Sequence, residues 1–129
     1  MIIYKSIDVE EEIRQALSDR FSAYVRPLPA QYALPHVLIT QVGGRDVNNR
    51  IDTFEVVLDA RGTREAEALE TLNTAVAYLR AKAAAQTTAV RHVVVNSSGS
   101  WGNDPVRPDL AMASARLSVT AHKTKEEIV

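Results

Sequence analysis

Between Ile51 and Asn96 the hydrophobic pattern changes period twice, and that change limits what the chain can become. In Thr53–Ala60, Phe54, Val56, Leu58 and Ala60 alternate with Thr53, Glu55, Val57 and Asp59. Period two with one apolar and one mostly polar face describes a strand in a sheet packed on one side. Gly62-Thr63 then opens a stretch to about Ala85 that is rich in Ala, Glu and Leu, all strong helix formers. Leu69, Leu72, Val76 and Leu79 fall on one stripe of that helix, and Ala68 and Ala75 are small enough to let it approach a sheet closely. Val90–Val95 returns to β-branched composition. A half-apolar strand, an amphipathic helix and another strand in succession dictate a helix-covered sheet.

The flanking segments extend this pattern. Asp8 reads as a helix N-cap with Glu11 three residues on, a capping box, and Glu10, Glu11 and Glu12 suit the positive end of the helix dipole. Val9, Ile13, Ala16, Leu17 and Phe21 form one apolar stripe, which predicts a helix from about Val9 to Phe21. Ala23-Tyr24-Val25 is β-prone, and Pro27 and Pro29 stop any central strand there. His36–Val42 is a strand that Gly43-Gly44 is expected to break. Arg45–Arg50 is a polar turn joining it to the next strand as a hairpin. Ser97–Asp109, with Gly99, Gly102, Pro105 and Pro108, reads as a long loop. Leu110–His122 alternates cleanly but is long for a strand, which predicts a bend or an overhang. Lys123–Val129 is expected to be loosely ordered.

The expected fold is α+β: a mostly antiparallel sheet of four to five strands, two helices on one face, in the order α-β-β-α-β-β. One domain spanning residues 1–129 is expected, with its core in about 8–122.

Composition closes off several classes. The 129 residues include no cysteine, which removes disulfides, zinc–thiolate sites and thiol catalysis. A formal net charge of −1 lacks the basic surface of a dedicated nucleic-acid binder. No apolar run reaches the length of about 18 residues that a membrane helix needs, and Met1–Lys5 is too short and mixed to read as a signal peptide. Cytosolic synthesis and use, or use in a particle assembled there, is the expectation.

No motif carries chemistry. Ser97–Gly102 has its glycines at the wrong offsets for a nucleophile elbow, and a strand rather than a helix follows. His36, His92 and His122 show no i, i+4 pairing that would place two metal ligands on one helix face. Gly43-Gly44 lacks the Lys-Ser/Thr of a phosphate loop. No metal and no cofactor is therefore assigned. Trp101 either folds back on the core or anchors a partner, since interfaces favour Trp and Arg, and Arg107 and Asp109 are rim contacts or solvated charges.

The order of these segments resembles the tail terminator (tail completion) proteins of long-tailed bacteriophages. The likeness runs over roughly residues 8 to 122. It rests on the amphipathic helix Val9–Phe21, the Pro-flanked strand Leu34-Pro35-His36-Val37-Leu38-Ile39, and the joint Phe54–Gly62 running into Glu65-Ala66-Glu67-Ala68-Leu69. A variable loop before the long strand Ala113–Val119 completes it. The resemblance implies a structural virion protein at the head–tail junction, assembled in the host cytoplasm, and no enzyme. It implies a ring of identical subunits, usually a hexamer, that ends tail-tube polymerisation and offers a surface to the head–tail connector. Its partners would be further copies of itself, the tail tube protein and the connector, with DNA passing through the lumen ungripped and no membrane involved.

No fixed residue set carries over from such proteins, so interface candidates follow from expected exposure: Arg45, Asp46, Asn48 and Arg50 in the hairpin, Trp101, Arg107 and Asp109 in the long loop, and Arg116 on the last strand. The hairpin and the Ser98–Asp109 loop are expected to make contacts along the ring axis. The long last strand could add to a neighbour's sheet. Two other readings stand beside this one: a different head–tail connector or neck protein, and a small ligand-binding α+β domain.

Overall fold

The computed structural model describes the backbone of residues 1–129 and every side chain except those of Ser100 and Trp101. In chain order the elements are β1 (Ile2–Lys5), α1 (Val9–Leu17), β2 (Ser22–Val25), β3 (His36–Asp46), β4 (Ile51–Gly62), α2 (Glu65–Ala84), β5 (Val90–Asn103), β6 (Ala111–His122) and β7 (Thr124–Glu127). The chain is α+β, and both helices share one apolar core with one face of a mostly antiparallel sheet. That sheet has five strands in the order β2-β3-β4-β6-β5, and only the β2/β3 pair is parallel. A separate two-stranded antiparallel ribbon pairs β1 with β7.

The period-two pattern of β4 and β6 works as read. Phe54, Val56, Leu58 and Ala60 are buried and face Val119, Leu117, Ala115 and Ala113 across the pair, so the paired side chains become smaller toward the end near Gly62. Helix α2 lies over these strands. Its buried stripe is Ala68, Leu72, Ala75, Leu79 and Ala83: Leu72 and Leu79 lie on it as expected, with Ala68 and Ala75 against the sheet, whereas Val76 is only half-buried and Leu69 is more than a third exposed. The alanines face the sheet because a sheet surface already filled with Leu and Val leaves little depth for the helix. Gln86, in the left-handed region at φ 57°, turns the chain away after α2.

Helix α1 has the expected N-cap, the Asp8 carboxylate accepting from the Glu11 N–H at 3.3 Å, but not the reciprocal half of the box, because the Glu11 carboxylate accepts from Arg14 instead. It stops at Leu17, four residues before the expected end at Phe21. Ser18 Oγ donates to the Gln15 carbonyl at 2.9 Å, and the N–H groups of Arg20 and Phe21 both turn back to the Leu17 carbonyl. Phe21 still packs on the core from this turn, so the apolar stripe outlasts the helix.

Four further expectations are corrected. Gly43-Gly44 does not break β3; the strand continues to Asp46 through a register shift between Gln41 and Gly43. A Cβ at Gly44 would lie 3.2 Å from the Phe54 ring and 3.2 Å from the Thr53 carbonyl, so a residue without one fits this close approach. Ser97–Asn103 is not loop but the second half of β5, paired with the Ala111–Arg116 half of β6 through two irregularities. β6 neither bends away nor overhangs, because every residue from Ala111 to His122 has a partner on β4. Residues 124–127 are not loose; they form β7 against Ile2–Lys5, an N-terminal strand missing from the expected order.

Candidate functional site

The sheet face away from the helices carries a row of paired polar side chains. Ser118 Oγ donates to Glu55 at 2.7 Å, Asn96 donates to Ser118 at 2.8 Å, and Arg116 lies 3.7 Å from Glu55. Ser114 Oγ donates to Asp59. These residues are the polar half of the same alternation that builds the core, so the open face is hydrogen-bonded within itself.

At the Gly62 end of this face two loops fold over the sheet and enclose a cleft of about 630 Å³. The first is the Pro-containing segment 26–35; the second is 104–110. Their anchor is an ion pair between neighbouring layers: Arg61 Nε on β4 donates to Asp104 Oδ2 at 2.5 Å, with the two side chains only 12% and 8% exposed. The other carboxylate oxygen of Asp104 accepts from the N–H groups of Val106 and Arg107, which makes the residue the pivot of its loop. Burial would raise the Asp104 pKa, but the Arg61 hydrogen bond and the Val106 N–H outweigh it and hold the carboxyl below its usual range.

His36 on β3 stands directly opposite Arg61 on β4 and is fully buried beneath the first loop. Tyr24 and Tyr32 meet its ring edge-on, with centroids 5.4 and 4.9 Å away. Nδ1 lies 3.0 Å from the Ala33 carbonyl, an acceptor, so Nδ1 carries the proton and Nε2 is left as a buried acceptor without a partner. Burial lowers the His36 pKa and the Arg61 charge lowers it further, against the opposing Ala33 hydrogen bond. The ring is neutral at pH 7. Arg107 closes the arrangement by donating to the Tyr32 hydroxyl at 3.0 Å and to both Asp109 oxygens at 3.0 and 2.8 Å.

No family model matches the chain, and no curated protein matches it in sequence.

The interface candidates separate into three places. Arg45, Asp46, Asn48 and Arg50 sit at the Ile51 end of β4. There Asn48 Oδ1 accepts from the N–H groups of Arg50 and Ile51, Arg50 stacks over Tyr4 at 5.0 Å, and Asp46 accepts from Lys123 at 2.9 Å. Arg107 and Asp109 lie at the opposite end and pair with each other. Arg116 is between, on the open face. Twelve residues of β4 separate the two ends, roughly 37 Å at about 3.4 Å per residue. The hairpin and the 104–110 loop therefore do not converge on one patch. Trp101 as a partner anchor lies outside the described residues.

Arg26, Tyr32, Arg61 and Asp104, which line the cleft, were not among the sequence candidates, and His36, weighed there only as a metal ligand, lies buried beside Arg61. One signal was available: Asp104-Pro105 is an Asp–Pro pair of the kind that opens a turn with its carboxylate on backbone N–H groups. Among the described residues no group of three His, Cys, Asp or Glu side chains is placed to hold a metal, and no helix is long and apolar enough to cross a membrane. Three arginines and two aspartates line the cleft beside Leu28, Leu38, Val106 and Met112. Asp104 is committed to Arg61, Asp59 to Ser114 and Arg107 to Asp109, which leaves Arg26 as the lining charge without a partner among the described residues.

Proposed function

We propose that this chain is a structural subunit of a phage tail, a terminator whose copies form a ring on the head-proximal end of the tail tube and join it to the head. In this reading it works in the virion and catalyses no reaction. One observation carries it: the sheet ends in β5, a 14-residue strand paired on one side only. A long strand with a free row of N–H and C=O groups is a template for another chain. The ribbon β1/β7, mostly exposed and packed on no other element through an apolar core, adds a second projecting surface. Two different surfaces per subunit are what a ring of identical copies requires. The order of elements from α1 to β6, like that of tail terminators, supports the same reading.

The test is assembly. Light scattering after size exclusion, with negative-stain microscopy, is expected to show rings, either for the protein alone or on mixing with polymerising tail-tube subunits, whose tubes should shorten. Protein that stays monomeric in both conditions and leaves tube length unchanged refutes the reading. A neck or connector subunit would instead associate with the head's portal side and leave free tubes unaltered. The 630 Å³ cleft favours a second reading, a small ligand-binding domain. Isothermal titration with acidic metabolites giving saturable binding to a monomer would support that alternative.

A further inference from the structure

The segment 26–35 contains no strand or helix, and none of its residues belongs to the helix-side core. Side-chain contacts hold it on the open face of the sheet. Ala33 is fixed from two sides: its N–H donates to the Tyr24 hydroxyl at 3.0 Å, and its carbonyl accepts from His36 Nδ1 at 3.0 Å. The Tyr24 and Tyr32 rings meet the His36 ring edge-on, and Arg107 donates to the Tyr32 hydroxyl from the neighbouring loop. His36 is thus the post to which the segment is tied. It is fully buried, and it alternates with Val37, which faces the core.

This post has no place for a second proton. Nδ1 already donates to Ala33, so the proton must go to Nε2, which is buried and has no hydrogen-bond partner among the described residues. Protonated there, the ring becomes a desolvated cation whose new donor meets no acceptor. Directly across on β4 stands the Arg61 guanidinium, a like charge whose Nη1 is also buried and unpartnered. The titratable and charged groups packed around the ring are Tyr24 from β2, Tyr32 from the segment, Arg61 from β4 and Asp104 from the second loop. Asp104, the one carboxylate among them, is committed through Oδ2 to Arg61 and through Oδ1 to the Val106 and Arg107 N–H groups. Burial, with the Arg61 charge, opposes the proton more than the Ala33 carbonyl and Asp104 favour it.

We infer that segment 26–35 is an acid-released cover: a proton on His36 Nε2 detaches it from the sheet and opens the cleft while the helix-side core stays folded. Releasing the segment hydrates the ring without touching Val37 and Ile39, whose side chains are buried on the other face of β3. Every group involved belongs to one chain, so the inference stands apart from the ring reading.

Hydrogen exchange of the Ala33 amide tests it, measured from pH 7.5 to 4.5 and divided by the intrinsic rate at each pH. Its protection is expected to fall about tenfold per pH unit below about 6.5, because the released form binds one more proton than the closed form. It should also lie at least about a hundredfold below that of the Leu58 and Leu117 amides at every pH, which marks local release and not global unfolding. His36→Phe, whose ring takes no proton, should make the Ala33 protection flat with pH. Tyr32→Phe keeps His36 but loses the bond from Arg107, so it should lower the protection at every pH and keep the slope. If His36→Phe does not fold, the ring-carbon signals of wild-type His36 take its place: they should reach their protonated positions only as the Ala33 amide is released. A pH-independent Ala33 protection in the wild type, an unchanged slope in His36→Phe, protection equal to that of Leu58, or a protonated His36 under a segment still bound each overturns the inference.

Discussion

Replacing Asp104 by alanine isolates the interaction that holds the cleft together. The variant leaves Arg61, 12% exposed on β4, without its acid, and removes the acceptor for the Val106 and Arg107 N–H groups. Breaking a buried pair by deleting one partner costs about 3–5 kcal/mol, because the surviving charge stays desolvated. The lower end applies here. Arg61 lies one residue from the end of β4, and the 104–110 loop can lift to let water reach the guanidinium. The expected loss is about 3 kcal/mol out of a stability on the order of 5–15. Urea denaturation at pH 7 should show a lower midpoint with an unchanged slope, since the same surface is exposed on unfolding. Exchanging both partners for apolar residues, Arg61→Met with Asp104→Leu, should restore most of the loss, because no buried charge is left behind. The pH dependence adds a second constraint. The folded carboxyl titrates below its unfolded value of about 3.9, so its stabilising share is complete above that pH and drains away only as acid passes through the lower folded value. The difference between wild type and Asp104→Ala should therefore be flat from pH 8 to about 5 and shrink below 4. A loss under about 1 kcal/mol at pH 7, or a double replacement as damaging as the single one, would refute the argument that a desolvated guanidinium sets the cost.

His36 supplies a separate pH signature: its folded pKa is depressed by burial, so the unfolded chain takes up a proton first as the pH falls below about 6.5. Stability should decline between pH 6.5 and the folded value with a slope of up to about 1.4 kcal/mol per pH unit, and His36→Phe should remove that slope in pH-resolved denaturation. Leu72→Ala, at the centre of the buried stripe of α2, is expected to cost about 2–5 kcal/mol by chemical denaturation. Ala75→Leu should also destabilise, by about 1–3 kcal/mol or more, because the helix would have to lift off the sheet; a neutral result there would mean that α2 does not sit as closely as its alanines indicate. Gly44→Val should lower the thermal midpoint, since its Cβ meets the Phe54 ring and the Thr53 carbonyl, whereas Gly43→Ala, with only ordinary contacts to Glu55, should be tolerated.

The parts of this fold that could be read from the chain are those in which one residue's neighbours in sequence are also its partners in structure. β4, α2 and β6 announce themselves because the period of their own side chains selects the buried face, and Asp8 caps α1 through a residue three positions away. What escaped depends on partners far along the chain. Ser97–Asn103 has the composition of a loop, but β6 opposite it has backbone groups to satisfy along its whole length, and pairing overrides propensity. β7 exists only because Ile2–Lys5 lies beside it, more than a hundred residues away in sequence. The cleft was hidden for the same reason. Arg61 reads as one more polar residue on a solvated face until the 104–110 loop brings Asp104 over it, and His36 reads as a strand histidine until Tyr24 and Tyr32 close around it. Two-stranded ribbons are marginal in water by themselves. β1 and β7 are held to the rest of the molecule through the Lys123–Arg50 backbone bond and Arg50 over Tyr4, at a distance from the apolar core. Hydrogen exchange of the β1 and β7 amides should therefore be faster than that of β4 and β6 in the monomer, and under the proposed assembly it should slow at least tenfold when copies associate; β1 and β7 amides as protected in the monomer as those of β4 would mean that the ribbon is stable by itself.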